Sequence, residues 1–538
     1  MKTNLLLWCG VVVCLLVVAP RSLRGANAEP TVEDGTATLE IDTRGPSVPY
    51  SRLIFGGFLE HFGSQIYGGV FEPGSPLADA QGFRTDVVAA LRELRVPIVR
   101  WPGGCFASGY HWEWGIGKHR LPTEDMAWGV VDPNTFGTDE YVQLCRLLDW
   151  QPYICNNAGN GTVAEMKSWV EYCNAREGKY ADERAGNGHP QPWNVRVWSI
   201  GNENWGAHEI GYKPIEQWSP LVLEAALAMK AADPGIQLSA AALPDRKWML
   251  PMLAQAGEHL DYISLHSYAL PLHGRNDMPD YLTCIMESEG PEKLIVGAVD
   301  ILEESGHRGR IKIAYDEWNL RSWHHPGFPR QAVADASNPE VQALVEAREN
   351  NEIASQYTMA DALFSASFYN SCLRHAADVG MANIAPLVNT RGPLHVHSRG
   401  LVRRTHFHTM AIYATELEPR VAATKVGAGP LVHGDRRVAA VDAVATVDES
   451  GQNIAVAIVN RHPDRTVACR IGVDGRPLPD GRYAAIVLAG DSPEAFNDID
   501  HPDRVVPETT QIDCVRGTLT LPAHSLTIVK TAVTTRAR

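Results

Sequence analysis

Between residues 53 and about 408 the chain repeats one unit eight times: a short apolar run followed by a stretch that favours helix. The runs are residues 54–59, 98–101, 152–156, 195–200, 236–241, 262–266, 311–315 and roughly 379–384. Helical patterns lie between them, at 85–94, 139–148, 164–172, 221–231 and 341–368. Parallel neighbours in a sheet need a long crossover, usually a helix. Eight such units predict a closed (β/α)8 TIM barrel. Beyond about residue 411 the pattern changes. Runs at 439–446, 453–459, 466–473, 482–488 and 518–521 are short, alternate apolar with polar residues, and are separated by Gly, Pro and Asp. The last run is 527–530. This predicts a C-terminal antiparallel β-sandwich. The expected organisation is a signal segment at 1–28, a linker and one strand at 29–50, a barrel at 51–410 and a sandwich at 411–538.

The first residues carry an address. Lys2 precedes an apolar stretch at 5–19, and Ala26-Asn27-Ala28 offers a small-residue cleavage site. That order predicts a cleavable secretory signal, hence a secreted or periplasmic protein. The stretch is short for a membrane span. Lys plus Arg number 48 against 63 Asp plus Glu, a net charge of −15. Loss of Lys2, Arg21 and Arg24 with the signal deepens the deficit, and no nucleic-acid partner is expected of so acidic a chain. The cysteines show no zinc spacing. Cys469 and Cys514 both fall in the strand-rich C-terminal part and are the pair considered for a disulfide.

In a barrel the site forms at the C-terminal ends of the strands. Two strands end in a glutamate beside tryptophan: Gly201-Asn202-Glu203-Asn204-Trp205-Gly206 after the fourth, and Asp316-Glu317-Trp318-Asn319 in the seventh. Retaining glycosidases need two carboxyl groups about 5–5.5 Å apart, one to attack the sugar and one to protonate the leaving oxygen. Two glutamates at nearby strand ends answer that need. Other ends add polar and aromatic groups: Glu60-His61, Arg100-Trp101-Pro102-Gly103-Gly104-Cys105 and His266-Ser267-Tyr268. His324, His325, His395, His397, His406 and His408 read as loop or pocket polar groups, and no metal is assigned to them.

These motifs, with Ile54-Phe55-Gly56, Tyr67-Gly68-Gly69 and Met381-Ala382-Asn383-Ile384-Ala385, resemble glycoside hydrolase family 51, the α-L-arabinofuranosidases. The resemblance covers roughly residues 50–415. It implies a barrel plus a β-sandwich that borrows N-terminal strand material. It implies a retaining exo-glycosidase that releases terminal α-L-arabinofuranosyl residues from arabinan, arabinoxylan or oligosaccharides by a two-glutamate double displacement. Glu203 matches the acid/base and Glu317 the nucleophile. Asn202 matches the residue that bonds the sugar 2-hydroxyl. Glu60 and Arg100 match furanose-pocket residues, Tyr268 the tyrosine that positions the nucleophile, and His266 its neighbour. Cys105 stands where many members have Asn, and Pro386 where well-studied members have a sugar-contacting Gln. The implied partner is an arabinose-containing polysaccharide or oligosaccharide, with no cofactor; a homo-oligomer stays open. The competing readings are a same-architecture glucanase, xylanase or other furanosidase, and a silent carbohydrate-binding protein.

Overall fold

The computed structural model describes residues 35–129, 131–270, 278–322, 356–398 and 400–532. Eight parallel strands close into a barrel in chain order: Gly56–Phe58, Ile98–Trp101, Gln151–Asn156, Val197–Ile200, Gln237–Ala241, Tyr262–Leu270, Lys312–Arg321 and Val379–Ile384. They are barrel strands 1 to 8 below. Asn383 pairs with Gly56 and joins the last strand to the first. The expected TIM barrel is therefore present, followed by a mostly antiparallel sheet. Barrel strand 1 is shorter than its apolar run. Arg52–Phe55 is a 3-10 turn capped by the Ser51 hydroxyl, and only Gly56–Phe58 pairs as strand.

The alternation of side chains along a strand explains where the polar groups collect. One inner layer of the barrel is Ile98, Tyr153, Val197, Tyr262, Ala314 and Met381. Two residues further along the same six strands stand Arg100, Cys155, Ser199, Ser264, Asp316 and Asn383, all buried. A step of two returns to the same face. The interior therefore turns from apolar to polar towards the strands' C-terminal ends. The alternate residues face the helices: Trp101, one past Arg100, stacks on Tyr141 of helix Thr138–Leu148, with 4.7 Å between ring centroids.

Barrel strand 7 breaks the alternation once. Against strand 6, Ala314 pairs with Ser264 and Glu317 with His266. Against strand 8, Tyr315 pairs with Ala382 and Trp318 with Ile384. Three steps on strand 7 thus match two on each neighbour, which is a β-bulge. It lets the consecutive residues Asp316 and Glu317 both turn into the barrel, where strict alternation would send one of them out to the helices.

The C-terminal sheet wraps its own core, which includes Leu39, Val456, Ile471, Leu519 and Val529. Thr36–Asp42 lies inside this sheet, antiparallel to Arg420–Ala428 and parallel to Val467–Val473. Helix Met359–Arg374 joins barrel and sheet. Phe368 stacks on Trp318 of the barrel at 3.8 Å, and Arg374 Nη1 donates to Asp442 Oδ1 of the sheet at 2.7 Å. The change of pattern expected near residue 411 falls inside helix Thr405–Glu416. The signal at 1–28, His324, His325 and most of the expected helix at 341–368 lie outside the described residues.

The disulfide considered from the sequence is not made. Cys469 and Cys514 are both buried and free. They sit on different ladders, Cys469 opposite Leu519 and Cys514 opposite Gly481, and Cys514 Sγ turns to the Leu478 carbonyl at 3.7 Å.

The N-terminal strand Thr36–Asp42 is core to a sheet whose other strands, apart from the short Val48–Pro49, lie nearly four hundred positions later, and Leu39 is fully buried in it. Leu39→Ala is expected to cost about 2–5 kcal/mol of unfolding free energy in a denaturant titration, the usual scale for a core Leu→Ala. A cost within about 0.5 kcal/mol, the scale of a surface substitution, would contradict this placement.

Candidate active site

The site is built around Arg100 on barrel strand 2, whose side chain is wholly buried. Nη1 donates to Glu317 Oε1 at 2.5 Å, and Nη2 to Asn202 Oδ1 at 2.9 Å and Cys155 Sγ at 3.3 Å. Nε lies 3.5 Å from Asp316 Oδ2. Asp316 also accepts from the hydroxyls of Tyr153 and Ser264, each at 2.6 Å. Tyr268 Oη donates to the other oxygen of Glu317, Oε2, at 2.6 Å. Both Glu317 oxygens are thus held by donors from different strands. Arg100 supports the glutamate and the asparagine from below.

Barrel strand 4 delivers the second carboxylate by a different device. Gly201 and Glu203 both have positive φ, 71° and 42°. This region is rare for a residue with a side chain and costs local strain. The kink lets Asn202 and Glu203, though consecutive, both face inward. His266 Nδ1 lies 2.8 Å from Glu203 Oε1 and 3.6 Å from Glu317 Oε1. Single atoms of Glu203, His266 and Glu317 all lie within 4.8 Å of one another. The two carboxylates are thus close neighbours at the polar end of the barrel.

The charges around His266 fix its state. Burial alone would favour the neutral ring, but Glu317, Asp316 and Glu203 outweigh it and push its pKa up to about 10. His266 is an imidazolium at neutral pH. Burial also opposes the charge of Glu203, yet its bonds to His208 and His266 hold the carboxyl well below the usual range. Glu60 goes the other way: burial and the nearby charge of Glu317 push it up to about 8.

Glu60 Oε1 accepts from the N–H groups of Gly104 and Phe106 and from Trp128 Nε1, at 3.0–3.1 Å. It therefore clamps the loop after barrel strand 2. The two glycines there are needed for space. A Cβ on Gly103 would sit 2.4 Å from Glu60 Cγ, and one on Gly104 would sit 2.8 Å from Glu317 Oε1. Cys105 follows, buried and free. Burial and the charges of Glu209, Glu60 and Glu203 raise its pKa far up, so the thiol stays neutral.

The structure thus brings Glu60, Arg100, Cys105, Asn202, Glu203, His266, Tyr268 and Glu317 to one end of the barrel. His61 is drawn away. It donates from Nδ1 to Asp132 at 2.6 Å, accepts from Trp101 Nε1 at 2.9 Å, and stacks on Phe106 at 4.6 Å. Three participants carry no role from the sequence: Asp316, His208 and Glu209. Glu209 is buried and accepts from Asn202 Nδ2 at 2.7 Å and Ser108 Oγ at 3.0 Å. Burial and the charge of Glu203 raise it to about 7. The signal for these residues was their position, one beside a strand-end glutamate and two on the turn after the other.

Known proteins match this chain over nearly its whole length. The family model described as alpha-L-arabinofuranosidase 1 domain matches residues 90–283, and the alpha-L-arabinofuranosidase C-terminal domain matches residues 316–525. Alpha-L-arabinofuranosidase C of Emericella nidulans is 30% identical over 502 residues, covering 89% of this chain and 94% of that protein. The chain belongs to the α-L-arabinofuranosidases of glycoside hydrolase family 51. The intracellular exo-alpha-(1->5)-L-arabinofuranosidase 1 of Bacillus subtilis is 31% identical, covering 77% of this chain and 82% of that protein. The crystal structure of the GH51 arabinofuranosidase from Xanthomonas axonopodis pv. citri superposes with a TM-score of 0.81 at 28% identity, covering 92% of this chain and 99% of that one. As a member of this family the protein is a glycoside hydrolase acting on arabinofuranosides.

In this arabinofuranosidase Tyr268 supplies one of the donors that hold Glu317. Tyr268→Phe is expected to lower kcat/KM on an aryl α-L-arabinofuranoside roughly 10- to 100-fold, the scale of a hydrogen bond to a charged group. An unchanged kcat/KM would show that the bond does not matter to turnover.

Proposed function

We propose that the protein is a retaining, exo-acting α-L-arabinofuranosidase in which Glu317 is the nucleophile and Glu203 the acid/base. The observation that carries this is the pair of carboxylates with atoms within 4.8 Å at the polar end of the barrel, each held differently. Arg100 and Tyr268 each donate to one oxygen of Glu317 and fix its orientation. Glu203 instead shares its oxygens with two imidazoles, which carry protons. A nucleophile needs the first setting and a proton carrier the second.

In the first step a Glu317 oxygen bonds to the anomeric carbon, the glycosidic C–O bond breaks, and the leaving oxygen takes a proton from Glu203. In the second, water attacks the same carbon, gives a proton to Glu203, and Glu317 leaves. The positive charge of the oxocarbenium-like transition state develops beside Glu317, while Arg100 and His266 stay bound to the carboxylates they orient. Exo action is supported by the enclosure of the site, since Glu60, Arg100, Asn202, Glu203 and Glu317 are all buried. The name of the Bacillus subtilis relative, an exo-(1->5) enzyme, agrees with a terminal arabinofuranosyl group from an arabinan-like chain or oligosaccharide as substrate.

Glu203→Ala tests the assignment. It is expected to slow hydrolysis of arabino-oligosaccharides more than roughly 100-fold, while dinitrophenyl arabinofuranoside, whose leaving group needs no proton, still forms the glycosyl-enzyme. Added azide is expected to speed turnover of the aryl substrate and yield the azide adduct. Equal losses on both substrates, with no azide effect, would remove Glu203 from the role.

A further inference from the structure

One imidazole has no part in the double displacement as written. His208 Nε2 lies 2.5 Å from Glu203 Oε2, and His266 holds the other oxygen. The turn is shaped to put the ring there. Glu203 is left-handed, the Gly206 N–H donates to the Glu203 carbonyl at 2.7 Å, and a Cβ on Gly206 would come within 2.3 Å of His208 Cε1. The ring fills the space that a side chain at position 206 would need. The His208 side chain is 37% exposed and that of His266 only 4%, so His208 stands on the solvent side of Glu203. A leaving group departs towards that side.

We propose that His208 stores the proton that Glu203 delivers to the leaving-group oxygen, so that the acid of the reaction is the Glu203–His208 pair. This rests on the assignment of Glu203 as acid/base. A carboxyl acts as a general acid only while it can present a proton. With imidazoles on both oxygens, Glu203 is held as the anion despite its burial. The missing proton is across the 2.5 Å contact. Burial disfavours a charged His208, but Glu203 and Glu209 from its own turn and Glu317 from barrel strand 7 hold its pKa above the ordinary imidazole value. His266 faces Glu203 from strand 6 and works against a second cation, yet the three acids outnumber it.

The protons balance. As the glycosidic bond breaks, the proton on His208 Nε2 passes to Glu203 and from Glu203 to the leaving oxygen, and the ring becomes neutral. In the second step the attacking water gives a proton to Glu203, which returns it to Nε2 as the bond to Glu317 breaks. His208 touches no sugar atom in this scheme and acts through Glu203 as a positioning and proton-storing residue.

The test is the pH dependence of kcat/KM for the parent, His208→Gln, His208→Ala and Glu203→Ala. Each is measured on an arabinofuranoside with a basic alkyl leaving group and on the dinitrophenyl arabinofuranoside. Gln keeps an N–H donor for Glu203 but cannot store a proton. In the parent the useful proton is lost as pH rises through the raised pKa of His208. Without His208 it resides on Glu203 alone, which His266 still holds low, and it is lost at lower pH. The alkaline limb on the alkyl glycoside is therefore expected to move down by about one pH unit or more in both His208 variants, with dinitrophenyl arabinofuranoside changed by less than roughly threefold. An unmoved limb in His208→Gln overturns proton storage. Glu203→Ala slowing both substrates alike overturns the acid/base assignment beneath it, so the two failures are told apart.

Discussion

The buried guanidinium of Arg100 is the contact on which the rest of the site depends. It is wholly out of water and touches Glu317, Asn202, Asp316 and Cys155, which come from barrel strands 3 and 7 and the turn after barrel strand 4. Two adjacent carboxylates inside a barrel repel each other and resist desolvation, and a cation between them offsets both effects. Arg100 supplies that cation. Its planar fork also fixes which way Asn202 Oδ1 points, and so leaves Nδ2 to Glu209. Removing the guanidinium would leave His266, 3.4 Å from Asp316 and 3.6 Å from Glu317, to offset two buried carboxylates without Arg100, and breaking a buried ion pair is costly.

Glycine and backbone strain serve the same arrangement. At Gly104 a Cβ would meet Glu317 Oε1, and at Gly206 a Cβ would meet the His208 ring, so both positions need glycine. The positive φ of Glu203 aims the carboxyl at His266. The strand 7 bulge aims Glu317 at Arg100. The barrel and the C-terminal sheet hold these departures in place from outside, through the stacking of Trp318 on Phe368 and the ion pair of Arg374 with Asp442.

Much of this was legible in the sequence. Eight apolar runs separated by helical patterns encode the barrel, because burial on both faces of a parallel strand leaves a continuous apolar signature. The glutamates were legible as a pair, since two apolar runs each lead into a glutamate with tryptophan close by. What stayed hidden depends on register. Period-two alternation cannot show that Asp316 and Glu317 both point inward, since a bulge is a relation between strands. It cannot show that Gly206 folds His208 back onto Glu203, since that turn is fixed by space. Arg100 looked like a sugar contact beside Trp101 and Gly103, and only its burial reveals it as the support under Glu317. Cys469 and Cys514 share strand-rich sequence, but pairing with different neighbours keeps them apart.

Trapping the covalent intermediate is the most direct measurement. An arabinofuranosyl fluoride or activated aryl glycoside made slow to hydrolyse by 2-fluoro substitution is incubated with the full-length enzyme, which is then digested and mapped by mass spectrometry. A nucleophile held by Arg100 and Tyr268 predicts one glycosyl group per chain, on Glu317, and none in Glu317→Gln. A label on Glu60, Glu203 or Asp316, or labelling that survives Glu317→Gln, would contradict the arrangement of the site described above.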